Sequence, residues 1–229
     1  GQQISVKAAD SVWTRFVERY PRPLDEAMSA RLKLADLARD LGDAPGRARW
    51  LREIIETDGS SGADRTDTSR LLAARASLEL AEPLRIAFES VQLTTPLPKS
   101  LKAKRDAMEA ALGAYRAAAG YGVAEIATRA TFATAEMYRR LATDLLASER
   151  PRNLSEEEQE QYALLLEEQA YPFEEEAIQL HEANAERAQD GIYDDGVRAS
   201  FAALAELKPA RYRKAERLPD AAKHPEIAV

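Results

Sequence analysis

Between Ala9 and Asp58 apolar residues recur at helical spacing and are twice interrupted, and this alternation constrains the fold more than any other feature of the chain. Val12, Trp13, Phe16 and Val17 form one face of a helix predicted over residues 6–19. Tyr20-Pro21-Arg22-Pro23 stops it, because proline lacks the amide hydrogen and disfavours a helical residue before it. Leu24, Met28, Leu32, Ala35 and Leu41 mark a second helix over 24–41, ended by Gly42, and Ala48, Leu51, Ile54 and Ile55 a third over 45–57. Short helices between tight breaks must bury their faces against one another. The pattern therefore predicts stacked antiparallel helix pairs.

The rest of the chain continues in the same style. After a polar loop over 58–66, a helical pattern runs from Asp67 to Gln92 with Pro83 inside it, which predicts a kink or break near Glu82. TTPLP (94–98) is a connector. A helix to about Ala119 opens on Lys99, Lys102, Lys104 and Arg105, read as a solvated start. Gly120-Tyr121-Gly122 separates it from a helix over 123–148, with Tyr121 filling the space between the two. Ser155 and Glu158 form a capping-box signature for a helix over 156–189, bent at Pro172. Tyr193 to Leu207 is the last firm helix. The tail 208–229 lacks periodicity and is expected to be extended or disordered. The expectation is an all-α domain over 2–207 of about eight helices, with no strand.

Composition narrows the classes. With 229 residues the chain is long enough for a real core, and 45% hydrophobic with only 7% aromatic residues favours close aliphatic and Ala-rich helix packing. The net charge of −7 argues against nucleic acid, whose binders carry a basic excess. Arg outnumbers Lys 24 to 8, a bias common in bacteria with GC-rich genomes. Absence of cysteine excludes disulfides, thiol catalysis and Cys-ligated metals. No run reaches the length of a membrane span, and no signal-peptide core is present. The opening inside a helix-pair pattern is read as a C-terminal piece of a longer chain, its targeting signal lying upstream.

Three triads share one spacing, small or apolar at i, bulky at i+4 and another at i+7: Ala9/Trp13/Phe16, Ala111/Tyr115/Ala118 and Ala177/His181/Asn184. The small residue admits a neighbouring helix and the bulky one fills the groove beside it, so pairs stack on pairs. On Ala9, Trp13, Phe16 and Pro21, followed by Leu34, Ala35, Gly42-Asp43 and Ala48, the chain resembles the tetratricopeptide repeat family over 8–58, with degenerate helical repeats over 67–207. It departs from the pattern at Pro45-Gly46, read as lengthening the turn, and at Ala38, where an aromatic is expected. WTRFVERYPRPLDEA, GDAPGRARWLREII, YALLLEEQAYPFEEEAIQLHEAN and GIYDDGVRASFAALAELKPARY resemble the C-terminal part of large bacterial proteins of this family. These accompany TonB–ExbB–ExbD-type or gliding-motility components. The resemblance implies a solenoid scaffold of the cell envelope, facing the periplasm, with a protein or peptide partner and possible contacts to envelope complex components.

Candidate sites are sparse. His181-Glu182 begins like a zinc HExxH motif, but position 185 is Ala, and Ile178 breaks a Glu-x-x-His reading, so no metal or cofactor is expected. Nine Glu residues between Glu156 and Glu176, with no base among them, read as the solvated face of a long helix or a docking face for a basic partner. No P-loop, GxGxxG or GxSxG occurs, and no enzyme is expected. The residues expected to line a partner-binding groove are Arg31, Lys33, Glu136, Arg140 and Asn184. Competing readings are a structural spacer or self-association module, and a helical-bundle enzyme or metal carrier.

Overall fold

The computed structural model describes residues 2–213, with side chains at residue 9 and from residue 11 onward. Nine α-helices follow one another, and no strand occurs among the described residues. They are α1 (Gln2–Arg19), α2 (Leu24–Asp40), α3 (Ala44–Ser60), α4 (Asp67–Ser90), α5 (Leu97–Ala119), α6 (Ala124–Leu146), α7 (Glu156–Glu186), α8 (Asp195–Leu207) and α9 (Pro209–Tyr212). None is long and apolar enough to cross a membrane.

Local chemistry sets the helix ends. Beyond α2, Gly42 adopts a left-handed φ of 72°, its N–H donates to Arg39 O at 2.9 Å, and the Asp43 N–H to Ala38 O at 2.8 Å. That pair of bonds is a Schellman stop. Asp43 then caps α3, its carboxylate accepting from the Gly46 N–H at 2.9 Å. A Cβ at Gly46 would lie 2.0 Å from that carboxylate, so only glycine fits under the cap. Pro45 and Gly46 thus lie in the first turn of α3 and do not lengthen the preceding loop. At α7 the capping box forms as its sequence implies: Ser155 Oγ accepts from the Glu158 N–H at 3.2 Å, and Glu158 Oε2 from the Ser155 N–H at 2.8 Å.

Two expectations need correction. No break occurs at Pro83, since α4 runs unbroken through it; α7 keeps Pro172 inside one helix, as its expected span implies. Both prolines are on exposed faces, where water can satisfy the carbonyls that they leave free at Glu79 and Glu168. The second correction is at the tail, where Pro209–Tyr212 forms a helical turn; residues 214–229, with His224, lie outside the described residues.

Each helix from α1 to α8 packs on the next, and the even-numbered ones also meet in series: α2 touches α4, α4 touches α6, and α6 touches α8. Small residues permit this. The buried face of α4 is Ser69, Ala73, Ala74, Ala76, Ser77 and Ala81, with Phe88 near its end, while Leu84 and Ile86 point outward. One core joins Met28, Leu34, Trp50, Leu51 and Ile54 to Ala73 and Ala76. A second gathers Phe88, Met108, Tyr115, Met137, Leu141 and Leu145. Tyr121 packs against the first and against Ala74, Ala118 and Ile126, as a plug between helices should. Of the three spaced triads, Ala111/Tyr115/Ala118 and Ala177/His181/Asn184 are buried throughout.

Two polar ties pin this stack. Asp58, at the end of α3, is buried; its Oδ1 accepts from Ser69 Oγ at 2.7 Å and from Arg65 Nε at 3.1 Å. Ser69 and Thr66 in turn form the capping box of α4. The other tie overturns the solvated reading of the basic cluster at its third member. Lys104 has no exposure, donates from Nζ to Val91 O at 2.7 Å and Phe88 O at 3.1 Å, and pairs with Asp144 Oδ2 at 2.7 Å. It closes the end of α4 from α5 and fastens both to α6.

Candidate functional site

Helices α4, α6 and α8 border a cleft of about 1270 Å³. Residues at helical spacing line it: Arg75, Leu78, Glu79, Glu82 and Glu89 along α4, and Glu125, Arg129, Phe132, Ala133, Glu136 and Arg140 along α6. The start of α8 adds Asp194 and Asp195, and Tyr115 reaches in from α5. Each of the two long walls is a charged stripe with one large apolar side chain, Leu78 or Phe132.

The charges interlock. Arg85 holds Glu82 and Glu89 along one wall, its Nε 3.0 Å from Glu82 Oε2, and Tyr115 donates its hydroxyl to the same oxygen at 3.0 Å. The Arg85 hydrogen bond holds the Glu82 carboxyl below the usual carboxylate range against the opposing effect of burial. Burial, and then the bond to Glu82, push the Tyr115 hydroxyl well above the ordinary tyrosine range. Arg140 Nε donates to Asp144 at 2.8 Å, and Arg75 and Arg129 lie 3.7 and 4.0 Å from the same Glu125 carboxylate.

Beneath Glu136 a chain of hydrogen bonds leads from the cleft into the joint of α6, α7 and α8. His181 Nε2 lies 3.1 Å from Glu136 Oε1, and its Nδ1 lies 3.3 Å from Ser200 Oγ. Asn184 Nδ2 is 2.8 Å from Ser200 Oγ, 3.1 Å from Thr128 O and 3.2 Å from Gly196 O. One assignment fits the contacts: His181 donates to the carboxylate, Ser200 donates to His181, and the two Asn184 amide hydrogens are shared among Ser200 and the two carbonyls, leaving the buried Asn184 Oδ1 without a partner among the described residues. Thr128 Oγ1 adds a bond to Asp194 Oδ2 at 2.7 Å. Polarity runs inward, with the carboxylate facing the cleft and Ser200 fully buried.

The expected groove residues divide accordingly. Glu136 and Arg140 line the cleft. Arg31 instead folds toward its own helix and α3, bonding Ala27 O at 3.1 Å and lying 3.7 Å from Glu53. Lys33 sits 4.5 Å above the Trp13 ring, in a separate hollow between α1 and α2. Asn184, expected to line the groove, is instead fully buried, because its amide bonds two backbone carbonyls across the joint. His181 is buried at the same interface and belongs to no metal-holding group; no such group occurs among the described residues. Leu78, Phe132 and the paired charged stripes were missed, although their spacing on α4 and α6 was readable as a second face beside the core stripe.

Glu136 makes the joint sensitive to acid. Burial raises its carboxyl pKa, but the His181 hydrogen bond and the charge of Arg139 more than offset this, so it lies below the ordinary value. A carboxylate depressed on folding stabilises the fold above its unfolded pKa of about 4.3, and that contribution is lost as pH falls through the folded value. Urea midpoints measured from neutral pH downward should show wild type more stable than Glu136→Gln at pH 7. The gap should close through the acid range. A gap constant with pH would disprove the linkage.

Compared with family models, curated proteins and solved structures, the chain gives no significant match to any of them.

Proposed function

We propose that the chain is a non-enzymatic interaction scaffold, a tetratricopeptide-repeat-like solenoid that holds a polypeptide partner in the cleft between α4, α6 and α8. The observation that carries this reading is the cleft itself: successive even-numbered helices present aligned side-chain rows to one open groove. The buried Ser200 supports it too, since a nucleophile must reach its substrate. The same proposal places the chain in a bacterial cell envelope, facing the periplasm, and rests there on the segment resemblances alone.

A second reading, self-association as a spacer, is favoured by one specific feature. Leu164, Leu165 and Tyr171 on α7 are more than half exposed, with no helix among the described residues covering them. Benzoylphenylalanine placed at Phe132 or at Leu165 in the full-length protein, photolysed in its native cells, separates the two. The scaffold reading expects adducts to another protein from position 132 and few from position 165. Inner-membrane energy-transduction proteins among them would support the envelope assignment. Self-adducts from position 165, with none from position 132, would put the spacer reading ahead.

A further inference from the structure

We propose that the partner is a basic amphipathic helix, laid along the cleft with its apolar stripe on Leu78 and Phe132. This rests on the scaffold reading and deepens it.

Size argues first. At about 1270 Å³ the cleft exceeds the roughly 300–1,000 Å³ typical of small-molecule pockets. A polypeptide segment suits that space better than a metabolite. Backbone chemistry argues second: the walls are all helical and offer no sheet edge, so an extended peptide would find no ladder to join, whereas a helix brings its own hydrogen bonds. Such a helix needs apolar ground, and the half-buried Leu78, Phe132 and Ala133 supply it between the two charged stripes.

Charge argues third and selects the sign. The lining holds seven carboxylates against four guanidiniums, in a chain of net charge −7, with Arg47, Arg139 and Arg198 at its edge pairing with Glu79, Glu136 and Asp195. All four guanidiniums already face carboxylates of this chain: Arg85 two of them, Arg140 Asp144, and Arg75 and Arg129 one shared Glu125. Asp195 reaches furthest into water, its side chain 85% exposed, whereas Glu125 at 50% is no more exposed than Arg75 at 52%. Exposed pairs of this kind are worth only about 0.2–1 kcal/mol each, so incoming lysines or arginines can replace their present partners. An acidic segment would meet an excess of like charge.

Selection from a displayed library of random peptides tests this, with counter-selection against two variants that block binding in the cleft: Phe132→Ser, which removes an apolar anchor, and Ala199→Trp, which fills the cleft from its α8 side. Circular dichroism would check that both are folded. Binders lost on both variants are expected to be net positive, with apolar residues at i, i+3 or i+4 and i+7. Their affinity should fall with added salt, and about tenfold in the Glu125→Gln/Asp195→Asn variant. Cleft-dependent binders that are acidic or uncharged would overturn the inference and leave the scaffold reading standing. If every binder survives both blocking variants, the scaffold reading falls as well.

Discussion

Lys104→Met is expected to lower the unfolding free energy by about 3 kcal/mol, read as a shifted urea midpoint with an unchanged slope. Methionine matches the lysine stem in length and keeps the apolar packing, so the loss isolates the ammonium. That group serves three acceptors at once: two carbonyls at the end of α4 and the Asp144 carboxylate on α6. It also lies 4.5 Å above the Phe88 ring, a favourable place for a cation. Removing one partner of a buried pair costs about 3–5 kcal/mol, because the other charge stays behind undercompensated. Arg140 still holds Asp144 at 2.8 Å, which puts the expectation at the lower end. Adding Asp144→Asn should recover part of the loss. A midpoint that stays put in the single variant would mean that the ammonium reaches water in solution.

Gly196→Ala is expected to cost about 2 kcal/mol, even though alanine is the better helix former. Propensity would favour alanine by at most about 1 kcal/mol, and less in the first turn of α8, where Gly196 sits. Against that, a Cβ would lie 2.8 Å from Thr128 C and 2.9 Å from Arg129 N. These are backbone atoms of α6 and cannot swing aside. Helix α8 must retreat, stretching the bonds that join Asn184 and Thr128 to it, and overpacking with lost hydrogen bonds outweighs propensity. Gly113→Ala is the control: its Cβ meets nothing within 4 Å in mid-α5, so it should stabilise by up to about 1 kcal/mol. Thermal unfolding of the two variants side by side should move in opposite directions. Equal shifts would deny the close approach of α8 to α6.

Helices were legible here wherever a local chemical signal marked their ends. Gly42 and the Ser155–Glu158 pair are such signals, since each acts within a few residues of itself. Pro83 does not break its helix because a proline's effect depends on which face it occupies, and face is a tertiary property. On α4 it is Ala73, Ala74, Ala76 and Ala81, together with Phe88, that neighbouring helices bury. Side-chain size attracts attention in a sequence, whereas close helix approach rewards its absence. Asn184 and Lys104 were opaque for a related reason. A polar side chain reads as surface until a distant segment provides its acceptors, here 56 residues away at Thr128 and 40 away at Asp144. Glu136 and Arg140 fell in the cleft, but the apolar anchors beside them lay unread between charges.

The succession of helix contacts bears on how the chain folds and what a partner adds. Every substantial pairing among the described residues joins elements one or two steps apart. Loops to be closed are short, so ordering can begin at any pair and spread in either direction. The same economy leaves α4 and α8 without a substantial contact of their own among the described residues. A segment seated on α4, α6 and α8 would act as a splint, supplying the long-range tie that the chain's own topology omits.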